Sequence, residues 1–584
     1  MASQDPVSED ERAGEAGRAG GAASVIGVLG AGTMGAGIAQ LAARAGAQAL
    51  LYDPVPQALA SGLERIAQGL HKEAARSGAR ADGRAQAEAS LARLQAVDEL
   101  GSLAPCELVI EAAPERLQLK HELFGQLSGI VGEQCVLATN TSSLPVTAIA
   151  AGAAHPERVV GMHFFNPAPV MRLLEVVAGE RSSERALELA HATGEAMGKT
   201  VIRANDGPGF LVNRCNRPFG LEALRLLQER VADVPTIDRI CRLEGGFRMG
   251  PFELMDLVGI DTGLEVSKSF FEQSFGEPRW RPSPITARYV AAGLYGRKSG
   301  RGYYDYGSGG EAADAHSAEA PAGPRKRSAD PDALQGTPPA HGEGVVVVAG
   351  QGALADELRS AATQAGYEVR SPHDPTGGVL PALIVDCDVA PSKRARTPDG
   401  VRPDRRGAQL PQGGAHLVLV AAGSLSVLDP GGSAVGLHLI SPLAEAKLVE
   451  LTRGEGSSPV AAARAERFFA ALGKHVAWVG DAPGLVLGRI VCQVINESAF
   501  ALAEGVGAAR DIDTGMVLGL NHPRGPLEWA DAIGIDRVLA VLEALCEEYR
   551  EERYRPAPAL QRLVRSGRLG RASGAGFFDY PAPS

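Results

Sequence analysis

The chain repeats itself, and that repeat constrains the fold more than any single motif does. Asp206-Gly207-Pro208-Gly209 returns 275 residues later as Asp481-Ala482-Pro483-Gly484, and Gly250-Pro251-Phe252-Glu253-Leu254 returns at the same spacing as Gly525-Pro526-Leu527-Glu528-Trp529. Gly198-Lys199 matches Gly473-Lys474. Gly300-Arg301-Gly302-Tyr303-Tyr304-Asp305-Tyr306 matches, one residue short, Gly574-Ala575-Gly576-Phe577-Phe578-Asp579-Tyr580. Gly30-x-Gly32 matches Gly350-x-Gly352 at an offset of 320, so the second copy has lost about 45 residues. The 584 residues therefore read as a fused tandem of two units, each with two domains.

The first unit opens as strand, loop, helix, strand. An apolar run, 25–29, ends in Gly30-Ala31-Gly32-Thr33-Met34-Gly35, a helical pattern follows over 34–45, and a second apolar run ends at Asp53. Continuous apolar runs at 108–111 and 135–139 predict further parallel strands, since strands buried on both faces lose their alternation. Residues 57–98 are polar and helical in period, which predicts an inserted helical hairpin outside the sheet. From 207 to 306 the pattern is helical. Residues 307–343 are rich in Gly, Ala, Pro and Ser and predict a linker, and 1–23 an unstructured tail. The second copy divides into 344–480 and 481–580.

Between strand and helix, a glycine loop permits a tight turn and close approach of a pyrophosphate to the helix N-terminus. Asp53 stands where a carboxylate can accept from ribose hydroxyls, and its charge would repel a 2′-phosphate, so NAD is expected rather than NADP. The net charge of -11 argues against nucleic acid or an anionic membrane as the main partner. No apolar run reaches the roughly 18 residues of a membrane span. Seven scattered cysteines without a CxxC pair suggest a reducing cytoplasm, with neither a disulfide framework nor a metal site.

Downstream, His163 closes a strand-like run and is followed by Asn166-Pro167 and, twelve positions after the histidine, by Glu175. A turn at Asn166-Pro167 and a return strand would bring Glu175 beside His163. A carboxylate that fixes its tautomer makes a histidine an effective proton carrier, and an alcohol oxidised by a nicotinamide needs one.

Residues 24–306 resemble an (S)-3-hydroxyacyl-CoA dehydrogenase over their whole length, through GAGTMGAGIAQ, EAAPERLQLK, NTSSL, GMHFFNPAPVMRLLEVV, GKTV, DGPGFLVNR, GPFELMDLVGID and GRKSGRGYYDY. The fold class expected is α/β, a Rossmann-like doubly wound domain plus an all-α domain, followed by a degenerate copy of the same pair. The resemblance implies that His163 is the general base and that Glu175 orients it. It implies that Ser142 and Asn213 hydrogen-bond the substrate. It also implies that Gly30, Ala31, Gly32, Thr33, Met34, Gly35, Asp53, Glu115, Lys120, Asn140, Ser142, Asn166 and Lys298 line or close over NAD. Several of these keep an ordinary structural reading: Glu115 and Lys120 as a surface pair, Asn166 as a turn residue, Lys298 as a solvated cation. In this family the hairpin region helps hold CoA, and Arg65, His71, Lys72, Arg76, Arg80 and Arg84 are either phosphate contacts or a solvated face.

In the second copy His438 and Glu450 match His163 and Glu175, so the dyad survives in sequence. Its surroundings do not: Gly488 replaces Asn213, Gly423 replaces Ser142, Ala355 replaces the third loop glycine, and His373, next to Asp374, replaces Asp53. This copy is expected to be inactive. The helical regions 207–306 and 481–580 are expected to pack as an intramolecular pseudo-dimer, which leaves further homo-oligomers open. The tandem layout resembles the branch of the family in phenylacetate catabolism, whose members oxidise 3-hydroxyadipyl-CoA, through the Asn521–Trp529 and Glu551–Pro556 stretches. A dicarboxylyl substrate would need a cation for its far end, and Arg172 and Arg217 are the candidates. The competing readings are a dehydrogenase of a small free hydroxy acid and a non-enzymatic NAD-binding protein.

Overall fold

The structure is a computed structural model that describes residues 21–76, 80–307, 341–370, 379–388, 414–440 and 442–581. Most of the expected tail and linker, as well as His373 and Asp374, lie outside the described residues. The described chain forms two compact units, one of 21–211 with 506–519 and one of 212–307, 341–505 and 520–581.

The first unit is built on an eight-stranded sheet. Its strands are β1 (Val25–Leu29), β2 (Gln48–Tyr52), β3 (Leu94–Val97), β4 (Leu108–Glu111), β5 (Val136–Thr139), β6 (Val159–Phe164), β7 (Leu173–Ala178) and β8 (Thr200–Asn205), in the spatial order β3-β2-β1-β4-β5-β6-β7-β8. Neighbours run parallel except β6 and β7, which pair antiparallel. The order reverses between β1 and β4, and it is outside the carboxyl ends of such strands that open α/β sheets bind ligands. Fully buried apolar strands make the core: Ile26, Val28, Leu108, Ile110, Val136 and Val160 are all sealed from solvent.

Two strands depart from the expectation. Residues 94–97 were expected in the hairpin but form edge strand β3, parallel to β2. Only the helices Pro56–Arg76 and Arg80–Leu91 form the insert, and the first of them packs so closely on the glycine loop that a Cβ on Gly62 would lie 2.8 Å from the Ala31 carbonyl oxygen. The second is β8, whose partly exposed residues carry no apolar run.

The second unit carries a seven-stranded sheet of the same plan. Strands β9 (Val345–Ala349), β10 (Glu368–Arg370), β11 (Leu383–Asp386), β12 (Ala415–Leu419), β13 (Val435–His438), β14 (Leu448–Arg453) and β15 (His475–Val479) are ordered β10-β9-β11-β12-β13-β14-β15. The pair β13 and β14 is antiparallel, like β6 and β7.

The same unit holds most of both helical regions. The helices Val212–Gln228 and Leu487–Ala503, one from each copy, pack against each other. Arg214 pairs with Glu497 at 2.9 Å and with Glu504, while Arg489 pairs with Glu222 and, at 2.7 Å, with Glu229. Arg489, Glu497 and Glu504 stand 275 residues after Arg214, Glu222 and Glu229, so each contact occurs twice with the roles exchanged. The repeated aromatic motif serves one purpose in both copies. Asp256 accepts from the amides of Tyr303 and Tyr304, both at 2.9 Å, and Asp531 accepts from those of Phe577 at 2.8 Å and Phe578 at 2.9 Å.

Candidate active site

The glycine loop joins β1 to the helix Thr33–Arg44. Gly30 has φ +102°, and a side chain there would strike the Ala112 carbonyl oxygen at 2.7 Å, so only glycine allows the β1 and β4 ends to approach this closely. A Cβ on Gly35 would lie 1.8 Å from the Gly30 carbonyl oxygen, whereas one on Gly32 would meet nothing within 4 Å. The helix N-terminus has no side-chain cap. Its first amides and the open face of Gly32 therefore fit a dinucleotide pyrophosphate. Asp53 accepts from the amides of Ala31 at 2.8 Å and Val55 at 2.9 Å. A carboxylate has about four lone-pair sites, so it retains capacity for a ribose hydroxyl. Arg65, a CoA phosphate contact or part of a solvated face by sequence, donates to the Ala31 carbonyl oxygen at 3.2 Å. Arg172, Lys72, His71 and Arg84 are exposed, and the side chains of Arg76 and Arg80 lie outside the described residues.

The end of β5 leads into the loop that carries Asn140 and Ser142. Glu115 organises this loop by accepting from the Thr141 hydroxyl at 2.6 Å, the Ser142 amide at 3.0 Å, and the Ser143 amide at 3.0 Å and hydroxyl at 2.9 Å. Burial works against its charge, but Lys120 and these hydrogen bonds outweigh it and hold the carboxyl below its usual range. Lys120 is only 1% exposed and donates to both Glu111 oxygens, at 2.6 and 2.9 Å. The structure thus places Lys120 beneath the loop, where it acts through Glu111 and Glu115. Glu111 was read only as the last residue of a strand, and it also accepts from Thr139 at 2.7 Å. Ser142 is exposed, and Asn140 accepts from the Phe164 amide at 2.8 Å.

Next to this loop, β6 and β7 bring His163 opposite Glu175 in register. The turn between them contains a cis Asn166-Pro167 bond, with Asn166 exposed. Both residues sit inside their strands rather than at the ends. His163 Nδ1 lies 2.6 Å from Glu175 Oε2, and the other carboxylate oxygen accepts from the Leu211 amide at 3.2 Å. An ionised carboxylate only accepts, so Nδ1 carries the proton and Nε2 presents its lone pair. The imidazole packs against Phe165 (4.6 Å between ring centroids) and Phe210 (5.7 Å). Phe165 rests in turn on Gly519, where a Cβ would lie 3.3 Å from its ring and 2.7 Å from Leu173. This contact, made by the second copy, carried no signal in the sequence.

Asn213 and Lys298 belong to the second unit. Asn213 lies in the first turn of the helix Val212–Gln228, and Lys298 pairs with Asp261 at 2.6 Å.

In the second copy the dyad that survives in sequence is not formed. His438 and Glu450 are in register, yet His438 Nδ1 has no hydrogen-bond partner. Glu450 instead accepts from the amides of Val486 and Leu487, both at 2.8 Å. A Cβ on Gly488 would fall 2.0 Å from His438 Cε1, so the ring occupies space that a side chain there would need. Burial, helped by Arg537, pulls the His438 pKa down to about 3. Glu244, 275 residues before Gly519, is buried beside Glu450. Neither Glu244 oxygen makes a well-formed hydrogen bond, but burial raises both carboxyls, Glu450 to about 8.

Comparison with known proteins gives this arrangement a family. The model of the 3-hydroxyacyl-CoA dehydrogenase NAD-binding domain matches residues 25–207, and that of the 3-hydroxyacyl-CoA dehydrogenase C-terminal domain matches 209–306 and again 484–580. The 3-hydroxyadipyl-CoA dehydrogenase of Escherichia coli K12 is 35% identical over 93% of this chain and 98% of its own length. A crystal structure described as 3-hydroxybutyryl-CoA dehydrogenase from Escherichia coli K12 superposes with a TM-score of 0.72 and 34% identity, over 93% of this chain and 99% of that one. A probable 3-hydroxybutyryl-CoA dehydrogenase of Deinococcus radiodurans is 40% identical over 48% of this chain and 99% of its own length. The chain belongs to the 3-hydroxyacyl-CoA dehydrogenase family. It is an NAD-dependent oxidoreductase that acts on the CH–OH group of a hydroxyacyl-CoA.

Proposed function

We propose that this enzyme oxidises an (S)-3-hydroxyacyl-CoA whose acyl group ends in a second carboxylate, 3-hydroxyadipyl-CoA foremost, with 3-hydroxybutyryl-CoA as the shorter alternative. The 3-hydroxyadipyl-CoA dehydrogenase of Escherichia coli, aligned over nearly the whole chain, supports the dicarboxylyl substrate, and the resemblance to the phenylacetate branch of the family suggests a place in that catabolism. The observation that carries the chemistry is the 2.6 Å contact of His163 with Glu175.

In this reading His163 Nε2 takes the proton of the 3-hydroxyl, and Glu175 stabilises the imidazolium that forms. NAD, when bound, would supply the acceptor for the hydride leaving C3. Ser142 and Asn213 hydrogen-bond the substrate near the reacting carbon and the thioester. The Gly30–Gly35 loop and Asp53 hold the cofactor, with Glu115, Lys120, Asn140, Asn166 and Lys298 shaping or closing its site. Phe165 and Phe210 keep water from the imidazole.

We further infer that the two helical regions form a pseudo-dimer within one chain, which the reciprocal Arg214 and Arg489 ion pairs support. The second copy then serves assembly, not catalysis. A cytoplasmic location accords with this substrate, and among the described residues no helix is long and apolar enough to cross a membrane.

The test is NADH formation at 340 nm from 3-hydroxyadipyl-CoA and 3-hydroxybutyryl-CoA by wild type and His163→Ala. Loss of activity with NADH binding retained supports the assigned chemistry. Activity that survives the substitution refutes it.

A further inference from the structure

The helix Val212–Gln228 carries a cation without an obvious reason. Arg217 is partly buried, and its Nε is sealed from solvent with no hydrogen-bond partner. Its guanidinium lies 4.9 Å from the centre of the Phe270 ring. Only burial acts on its pKa, pulling it down to about 10, and among the described residues no carboxylate lies close enough to oppose that effect. Arg214 and Arg489, the buried arginines of the two paired helices, are treated differently, since each holds two carboxylates. A guanidinium stays charged at any working pH. Burying it without an anion is costly, and an aromatic face returns only part of that cost.

The surroundings of Arg217 are otherwise neutral. Next to it in sequence, Asn216 makes a 2.9 Å hydrogen bond through Oδ1 to His522 Nε2. Burial pulls the His522 pKa down to about 4, so this ring contributes no charge near neutral pH. His522 is wedged against Phe219 and Phe247, which fixes the Asn216 side of the helix. The Asn521-His522-Pro523 stretch of the second copy therefore braces the helix beside Arg217 without neutralising it.

Position along the helix matters as much as charge. Asn213 and Arg217 are four residues apart, so they share one face and stand about 6 Å apart along the axis. Both are missing from the inactive copy, where Gly488 and the buried Cys492 stand at the corresponding positions. Arg172, the other candidate cation, is exposed and can be solvated by water without cost.

We propose that Arg217 receives the distal carboxylate of a dicarboxylyl-CoA substrate whose thioester end is held from Asn213, one helical turn earlier. The helix thereby measures the acyl group: a few methylenes separate the two polar ends, as one turn separates the two side chains. A carboxylate fits the guanidinium fork with two parallel hydrogen bonds, and an unbranched alkyl end leaves the cation uncompensated. The inference rests on the dicarboxylyl reading given above.

The experiment compares kcat/KM for 3-hydroxyadipyl-CoA and 3-hydroxyhexanoyl-CoA, which have the same number of acyl carbons but differ in the terminal carboxylate. Wild type, Arg217→Met and Arg217→Lys are measured, with thermal midpoints and NADH binding alongside. Wild type is expected to prefer the dicarboxylyl ester, and Arg217→Met to lower that preference by roughly 30- to 100-fold, the loss typical of a charge-assisted hydrogen-bond pair. Arg217→Lys, which keeps the charge but not the fork, should lower it by less and preserves the test if the methionine variant does not fold. A wild-type preference that survives both substitutions within about threefold overturns the role of Arg217 alone. A wild type that does not discriminate between the esters overturns the dicarboxylyl reading itself.

Discussion

Replacing Glu175 with glutamine tests the proposed chemistry with little change of shape. In the ground state Glu175 fixes the tautomer of His163; in the transition state it faces a forming imidazolium. Glu175 is fully buried and His163 is 6% exposed, so water screens the pair weakly. The 2.6 Å contact puts the charge centres about 4 Å apart, which at an effective dielectric of about 20 is worth ~4 kcal/mol. Spent on the transition state, that amounts to about a thousandfold in rate. The glutamine can still accept from the Leu211 amide, so the strands should remain in register. Its amide group turned toward the ring would, however, place the proton on Nε2, where the base must be free. We therefore expect kcat with saturating NAD and ester to fall ~10³-fold in Glu175→Gln, with NADH affinity by fluorescence titration unchanged. A kcat within about fivefold of wild type would refute the argument, because a merely structural hydrogen bond predicts that outcome.

Two further perturbations test other parts of the molecule. Gly519→Ala should press on Phe165 and Leu173 and lower kcat by ~10- to 100-fold through a displaced imidazole, with the KM for NAD unaltered; Leu173→Val in the same chain should restore most of the loss, and equal loss in the double variant would exclude this route. Glu244→Gln should flatten the dependence of thermal stability on pH. Glu450 is raised to about 8 in the folded chain, so its contribution is fully present below the unfolded carboxyl pKa of about 4.3 and is lost as pH rises through 8. Wild type should therefore lose thermal stability across that window and the variant should lose less; parallel melting curves from pH 5 to 9 would show that the two carboxyls are not coupled.

The parts of this fold that were legible in sequence are those where burial is complete or geometry is special. Strands β1, β4 and β5 are sealed on both faces and read as unbroken apolar runs. The glycine loop needs glycine at Gly30 and Gly35 because backbone atoms occupy the space of any side chain. His163 and Glu175 could be paired because Asn166-Pro167 announces the turn. Edge strands were harder. β3 has only one fully buried residue and β8 is half exposed, so neither shows the apolar run that marks an interior strand. The Gly519 contact and the Glu244–Glu450 pair were invisible for another reason: each joins segments hundreds of residues apart, and no local pattern encodes such a meeting. The second dyad survives in sequence but not in space, because two residues can keep their register while one glycine, Gly488, lets the ring turn away from its carboxylate.

The reciprocity of the helical pairing makes a prediction that separates assembly from catalysis. A chain ending near residue 310 loses Glu497, Glu504 and Arg489, so Arg214 and Glu222 lose their partners and the face of Val212–Gln228 that packed on the second-copy helix is bared to solvent. The patch is self-complementary, however, because Glu222 and Glu229 are the counterparts of Glu497 and Glu504. Two truncated chains can satisfy each other by pairing Arg214 of one with Glu222 and Glu229 of the other, so the fragment should be a homodimer by sedimentation. It should nevertheless be a poor enzyme. The segment resting on Phe165 in the intact chain is lost, and its counterpart in a second fragment brings Glu244 to the position held by Gly519. Adding Glu244→Gly to the fragment should then raise its kcat, since it restores the residue that the intact chain presents. A fragment that stays monomeric, soluble and fully active would refute both the proposed assembly role of the second copy and the proposed effect on His163 of its contact with Phe165.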